Sequence, residues 1–253
     1  MGSADWAVMT GSVDGPTFTG VNVLRSPTVG LTPPPGGGSE LFAINSIADV
    51  SGAVVVYSIV SGYAPTASGG SILGCIKRAT SGGNLDWSTF LVGCAQGNSV
   101  SDGAYLLGLE DASPAHLVLA KVDAISTGIP ADNADGTNSA TILRVSNDTF
   151  TIDEWLHLKW EIITQDNGDV VHKIYKNDLS THDLGTPGNW VWVAVEFSDQ
   201  WTGTFADGYF IDDITGVNSE SIPYTSGYWG FGTVVANIAR RSYFDFIGIT
   251  KQT

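Results

Sequence analysis

The stretch that decides the fold reads Glu154-Trp-Leu-His-Leu-Lys-Trp-Glu-Ile-Ile-Thr-Gln-Asp-Asn-Gly-Asp-Val-Val-His-Lys-Ile-Tyr-Lys176. Apolar and polar side chains alternate along its first half, with the period of two that is typical of a β-strand with one buried face. The apolar positions are Leu156, Leu158, Trp160 and Ile162, and the polar ones are His157, Lys159 and Glu161. Asn167-Gly168 is the preferred dipeptide of a two-residue type I′ turn. The stretch therefore predicts a β-hairpin in which Trp160 lies opposite Tyr175.

The rest of the chain repeats this pattern of short apolar runs separated by turn residues. Its 253 residues include 31 glycines, and no window has the apolar stripe of an amphipathic helix. A dozen short strands at fairly regular spacing indicate an all-β sandwich or barrel. The predicted strands of the main body are Leu41–Ile47, Ala53–Val60, Ser71–Ala79, Thr89–Gln96, Ala104–Glu110, Ala115–Val122, Ala140–Val145, Glu154–Thr164, Val170–Lys176, Trp190–Phe197, Gly227–Val234 and Ser242–Thr250.

The segment Thr32-Pro-Pro-Pro-Gly-Gly-Gly-Ser39 is the clearest break in composition. Prolines cannot join a central strand, and consecutive glycines weaken one. We therefore predict that residues 1–38 form an N-terminal arm with a Pro/Gly linker, and that residues 39–253 form one domain.

The predicted hairpin resembles those of concanavalin A-like lectins and laminin-G-like domains. The resemblance rests on Trp155-Leu-His-Leu-Lys-Trp160, Asn167-Gly168 and Lys173-Ile-Tyr-Lys176. Gly227-Tyr-Trp-Gly-Phe-Gly232 and Tyr243-Phe-Asp-Phe-Ile-Gly-Ile249 are similar to the last two strands of that superfamily. This resemblance implies a two-sheet antiparallel jelly-roll sandwich. It does not choose a function, because this fold hosts lectins, glycosidases, lyases, adhesion modules and viral surface proteins.

The charge of the chain argues against two classes of partner. Eleven Lys and Arg stand against 26 Asp and Glu, a formal net charge of −15. Nucleic acids and anionic membranes are therefore poor partners, since both need clustered basic groups. The first residues lack the basic and apolar regions of a secretory signal, so no signal sequence is expected there. The longest apolar run, Ala53–Val60, is too short for a membrane-spanning helix.

The sequence predicts no cofactor, and calcium is the one metal ion it leaves open. Residues 177–239 contain acidic side chains but no Lys or Arg. They form either an oxygen-ligand site or a solvated acidic face. The loop Asp132–Asn138 is similar to a calcium loop, but it lacks the acid required at Ala131 and is more typical of a polar turn.

Cys75 and Cys94 lie on consecutive predicted strands with a Ser-Gly-Gly-Asn turn signal between them. A hairpin at that point would place the two cysteines opposite each other. They form either a cross-strand disulfide or two buried thiols.

The strand Trp190-Val-Trp-Val-Ala-Val-Glu-Phe197 predicts the binding surface. Its odd positions are all apolar and are predicted to face the core. Trp190 and Trp192 then point the other way, beside Glu196. Exposed paired aromatic side chains suit either stacking on a sugar ring or a contact between subunits, while burial by loops is the structural alternative. The four histidines, His116, His157, His172 and His182, are predicted to be solvent-facing.

Catalysis is not expected, because the chain lacks the paired-carboxylate strand of jelly-roll glucanases. It also lacks a Gly-x-Ser-x-Gly motif, a phosphate-binding loop and a zinc-type histidine pair. The sequence favours a non-catalytic subunit of a phage virion surface, a capsid decoration or tail protein, which contacts copies of itself or other capsid or tail proteins. The alternative is an extracellular lectin-like module that binds glycans, followed by a polysaccharide glycosidase or lyase.

Overall fold

The computed structural model describes residues 6–9, 42–45, 52–58, 69–79, 87–110, 114–129, 140–151, 154–177, 190–197, 209–214, 222–235 and 241–251. These ranges contain fourteen β-strands and one short 3-10 helix, Ile125–Thr127. The strands are β1 (Trp6–Val8), β2 (Phe42–Asn45), β3 (Gly52–Ser58), β4 (Gly70–Ala79), β5 (Trp87–Ala95), β6 (Ala104–Leu109), β7 (Ala115–Val122), β8 (Ala140–Phe150), β9 (Trp155–Thr164), β10 (Val170–Asn177), β11 (Trp192–Ala194), β12 (Tyr209–Asp212), β13 (Tyr228–Val235) and β14 (Arg241–Lys251). No helix in these ranges has the length and apolar character needed to cross a membrane.

The strands form two antiparallel sheets, so the predicted all-β jelly-roll sandwich is confirmed. Sheet I has the order β1-β3-β13-β5-β6-β7-β8, and sheet II has the order β11-β10-β9-β4-β14-β2. Strand β12 pairs with the same edge of β10 as β11 does, nearer the start of β10. An isolated bridge between Ser146 and Phe197 joins β8, at the edge of sheet I, to the end of the β11 segment.

The interior between the sheets is built by the alternation predicted for β9. Leu156, Leu158, Trp160 and Ile162 are all buried in the main hydrophobic cluster. The indole rings of Trp160 and Trp229 meet edge to face across the sandwich, with centroids 6.2 Å apart. Burial of these large side chains supplies most of the driving force for packing the two sheets, because the hydrophobic gain grows with the apolar area removed from water.

The outer face of sheet I is buried as well. Phe90, Val92 and Leu106 point away from the main cluster and belong to a second hydrophobic cluster. Met9 and Ile125 pack into this second cluster from outside the strands. Each face of sheet I therefore carries a hydrophobic cluster.

The β9–β10 hairpin has a longer turn than the sequence predicts. Gln165 N donates to Asp169 O at 2.8 Å, which leaves a three-residue loop, 166–168. A type I′ turn needs positive φ at both central residues. Here Gly168 has φ +92° and Asn167 does not have a positive φ. The extra loop residue shifts the register by one, so Trp160 pairs with Ile174, and Tyr175 pairs with Lys159.

The predicted hairpin between the two cysteine-bearing strands is also wrong. Strand β4 lies between β9 and β14 in sheet II, whereas β5 lies between β13 and β6 in sheet I. The two strands lie in different sheets because the side chains on their faces differ in polarity. Strand β5 has apolar side chains on both faces, as sheet I requires, while β4 carries Lys77 and Ser71 on the face that sheet II turns away from the core.

The N-terminal segment contributes an edge strand. Trp6 pairs with Ser58 through β1 and packs on Phe231, with ring centroids 5.4 Å apart. The Pro/Gly linker at 32–39 lies outside the described ranges, so the division into residues 1–38 and 39–253 stays a prediction.

Candidate functional site

A row of side chains crosses the outer face of sheet II. Trp192 pairs with Asn177, His157 pairs with Cys75, and Cys75 pairs with Asp245. The β9–β10 register places Asn177 beside His157, one pair beyond Lys176 and Leu158. Directly paired residues in a sheet project from the same face. Five neighbouring strands of sheet II therefore each contribute one side chain to this row.

The centre of this row is a pair of buried polar side chains, His157 and Asn177, which we call the polar floor. His157 is 2% exposed and Asn177 is 5% exposed. Neither ring nitrogen of His157 nor either amide atom of Asn177 has a hydrogen-bond partner within the described part of the chain. Burial lowers the pKa of His157 to about 4, so its ring is neutral near pH 7. The polar floor thus offers donors and acceptors that the described residues leave unused.

Two tryptophans flank the polar floor. The ring of Trp190 meets that of His157 edge to face, with centroids 5.1 Å apart, and meets Trp192 at 5.6 Å. Trp192 is half-buried. The structure therefore brings the two predicted tryptophans together on the outer face.

The predicted exposure of this strand needs correction. Trp190 is only 7% exposed, while Val191, predicted to be core, is 39% exposed. The alternation holds further along, because Val195 is buried in the main cluster and Phe197 packs against it. The difference arises because β11 begins only at Trp192, so the two preceding residues are not held in the sheet.

Glu196 lies near the end of this segment. It is exposed and lies four residues beyond Trp192, about 13 Å along an extended chain. Its carbonyl oxygen accepts a hydrogen bond from Asn147 N at 2.9 Å, at the bridge to β8. The predicted grouping of Glu196 with Trp190 and Trp192 stays a prediction.

Basic and aromatic side chains continue the face beyond this row. Lys159 Nζ forms an ion pair with Glu161 at 2.6 Å and lies 5.2 Å from the ring centre of Tyr175. Lys77 Nζ lies 5.9 Å from the ring centre of Trp155. In a chain with only 11 basic residues, this face combines aromatic rings with positive charge.

The two cysteines are free thiols, so no disulfide joins Cys75 to Cys94. They lie in different sheets for the reason given above. Burial raises the pKa of the Cys94 thiol to about 12 and, with the charge of Asp245 as a second cause, raises that of Cys75 further. Both sulfurs are protonated near neutral pH and are therefore poor nucleophiles and metal ligands.

Calcium binding stays a prediction. Within the described ranges, no three His, Cys, Asp or Glu side chains are grouped to hold a metal ion. The loop Asp132–Asn138 and much of 177–239 lie outside those ranges.

A second polar cluster lies inside the sandwich, where β6, β7 and β12 meet. Lys121 Nζ and Asp212 Oδ2 are 2.9 Å apart, with side chains 2% and 0% exposed. Tyr105 donates its hydroxyl hydrogen to the same Asp212 oxygen at 2.5 Å and accepts a hydrogen bond from Tyr224 N at 3.0 Å. This cluster links sheet I to sheet II.

Sequence reasoning missed the polar floor and the interior cluster. The expectation that His157 and His172 face solvent is wrong, since both are buried. The available signal was the polar alternation of β9. This alternation identifies the face of β9 that points away from the core. It does not identify the neighbours of His157, because these depend on the register between β9 and β10 and on the position of Trp190.

No known family model and no curated protein sequence matches the chain. Several solved structures resemble it, and three of them are described here. The marine PL-14 alginate lyase from Aplysia kurodai matches with 12% identity over 85% of this chain and 84% of the lyase, with a TM-score of 0.48. The cellulose-induced protein Cip1 matches with 13% identity over 100% and 94%, with a TM-score of 0.49. The carbohydrate-binding module CBM66 from Bacillus subtilis matches with 12% identity over 91% and 96%, with a TM-score of 0.41.

Proposed function

We propose that the outer face of sheet II binds carbohydrate. The observation that carries this proposal is the polar floor, in which His157 and Asn177 are buried but have no hydrogen-bond partners in the described part of the chain. A buried polar group without a partner costs free energy, and such groups in native proteins call for an explanation. A ligand that hydrogen-bonds to them supplies one.

The chemistry of the floor suits sugar hydroxyl groups. A neutral imidazole has one donor and one acceptor, and an amide has two donors and a carbonyl acceptor. A pair of neighbouring hydroxyl groups can satisfy both side chains, because each hydroxyl both donates and accepts. The half-buried rings of Trp192 and Tyr175 beside the floor are suited to stack on the apolar face of a sugar ring.

We favour carbohydrate binding over the assembly on a virion surface that the sequence predicts. The centre of a protein–protein interface is apolar and tightly packed, whereas the centre of this face is the polar floor. The virion-surface role, the extracellular alternative and the absence of catalysis stay predictions.

The test separates stability from binding. Replacing His157 or Asn177 by Leu removes buried polar atoms that have no partner among the described residues, so we expect the melting temperature to be unchanged or raised. The same substitutions should abolish binding on an array of neutral and acidic glycans. Trp192→Ala should also weaken binding, while Tyr228→Ala on sheet I is the matched aromatic control and should leave it unchanged.

Two outcomes would contradict the proposal. One is that the wild-type protein binds no glycan on the array. The other is that the His157→Leu and Asn177→Leu variants fold normally and bind glycans as the wild-type protein does.

A further inference from the structure

Positive charge among the described residues is concentrated on the outer face of sheet II. Each lysine of this face lies on β9, or pairs with a residue of β9, an even number of positions from His157, and side chains two apart on a strand share a face. Of the six basic side chains whose burial the structure describes, these are three: Lys77, Lys159 and Lys173. The other three are either buried or, in the last case, ion-paired with Asp148: Lys121, Arg144 and Lys176.

Two of these lysines are close neighbours, and we call Lys159 and Lys173 the lysine pair. Lys159 pairs with Tyr175 and Lys173 pairs with Glu161, so the two lysines are diagonal to each other on β9 and β10. Diagonal side chains start about 7–8 Å apart, within reach of long side chains. Both lysines are half-buried, so their ammonium groups can meet the same bound group.

The lysine pair shares a single carboxylate among the described residues. Glu161 forms its ion pair with Lys159, at 2.6 Å, although Lys173 is its direct partner across the strands. Within the described ranges Lys173 has no ion pair, and its neighbour on the other side, Tyr209, is uncharged. In a chain with a net charge of −15, a lysine without an acidic partner is unexpected. The lysine pair therefore has room for a second anionic group.

The lysine pair lies next to the polar floor on the same face. Lys159 is two residues beyond His157 on β9, and Tyr175 is two residues before Asn177 on β10. Two residues of a strand span about 7 Å. A sugar that binds the polar floor and stacks on Tyr175 thus extends toward the lysine pair.

We propose, on the basis of the carbohydrate binding proposed above, that this face selects acidic glycans. The hydroxyl groups of the glycan bind the polar floor, and its carboxylate or sulfate group pairs with the lysine pair. A lysine ammonium is a compact charge with rotatable donors, so it recognises negative charge without demanding one geometry. Ion-paired hydrogen bonds are stronger than neutral ones, and the acidic group therefore adds affinity to that of the hydroxyl groups.

The experiment compares three probes by isothermal titration calorimetry. They are a hexuronic-acid oligosaccharide, the same oligosaccharide with its carboxyl groups reduced to alcohols, and the reduced form after sulfation. The wild-type protein should bind at least one acidic form more tightly than the reduced form. Added salt should weaken this preference, because it screens charges near the surface. The two acidic forms distinguish carboxylate from sulfate recognition.

Variants of the lysine pair test the assignment to these side chains. Lys173→Gln should weaken binding of the acidic form by about fivefold, as expected for a partly exposed ion pair, and Lys173→Arg should retain it. Glu161→Gln should strengthen acidic binding, because it releases Lys159 from its ion pair. Binding of the reduced form should not change in any of these variants. Lys176→Gln is the matched control on β10, since Lys176 projects from the opposite face and pairs with Asp148.

The outcomes separate this proposal from carbohydrate binding itself. Equal affinity for acidic and reduced forms, unaffected by Lys173→Gln, would overturn the selection of acidic glycans and leave carbohydrate binding in place. Absence of binding to any glycan would overturn both. Acidic binding that is weakened by Lys173→Gln but unaffected by His157→Leu would support the lysine pair and reject the polar floor.

Discussion

Trp160 and His172 form a buried pair inside the sandwich, in which the indole Nε1 of Trp160 donates a hydrogen bond to Nδ1 of His172 at 3.2 Å. An acceptor at Nδ1 places the ring proton of the neutral histidine on Nε2. Protonation of Nδ1 would set two donors against each other, close to the charge of Lys121. Burial, with Lys121 as a second cause, lowers the pKa of His172 to about 3.

Acid should therefore destabilise the protein before its carboxylates titrate. The folded-state pKa values of His157 and His172, about 4 and 3, lie below the ordinary 6.5. Between these values the unfolded chain binds protons that the folded chain does not, so the free energy of unfolding falls as the pH falls from about 6.5 to 4. The expected slope is about 1.4 kcal/mol per pH unit for each histidine.

Urea unfolding at several pH values between 5 and 7 measures this slope. The His157→Leu variant should lose about half of the histidine contribution. Stability that is independent of pH in this window, or that increases on acidification, would show that the two rings are not buried as neutral groups.

The ion pair between Lys121 and Asp212 should be sensitive to the loss of one partner. Asp212→Asn leaves a buried ammonium group without its counter-charge and should cost about 3–5 kcal/mol of stability. The double variant Lys121→Met/Asp212→Leu should recover much of that loss, because neither charge of this pair remains. A double-mutant cycle from denaturant unfolding checks both expectations.

The surface pair of Lys176 and Asp148 is the matched control for this cycle. Their side chains are 28% and 48% exposed, so Asp148→Asn should cost less than about 1 kcal/mol. Equal effects at Asp148 and Asp212 would contradict the assignment of Lys121 and Asp212 to the interior.

Gly168 should be hard to replace. Its φ of +92° is unfavourable for other residues, and an added Cβ would lie 3.0 Å from Ile214 Cγ2. Gly168→Ala should therefore lower the free energy of unfolding by about 1–2 kcal/mol. Gly248 is the control, because an added Cβ there meets no atom within 4 Å. Similar melting temperatures for the two alanine variants would argue against the three-residue loop.

Both cysteines should be unreactive in the folded protein. Cys75 and Cys94 are 0% and 1% exposed and are free thiols. A thiol reagent such as Ellman's should label neither at neutral pH and should label both after denaturation without a reductant. Rapid labelling of the native protein, or labelling that requires prior reduction, would contradict the structure.

The sequence by itself determined the fold class and the identity of the core strands. The alternation of Leu156, Leu158, Trp160 and Ile162 with polar residues identifies which face of β9 is buried, because side chains of a strand point to opposite faces in turn. The apolar odd positions of the Trp190–Phe197 segment likewise predicted that Val195 and Phe197 pack on the core, as the structure has them.

Only the tertiary structure decided how these strands meet. A single loop residue sets the β9–β10 register, and local turn propensities do not fix its length, so Tyr175 pairs with Lys159 and not with Trp160. The assignment of Cys75 and Cys94 to different sheets depends on packing across the whole sandwich. The burial of His157 under Trp190 depends on contacts between residues more than 30 positions apart, and these contacts have no periodic signature along the chain.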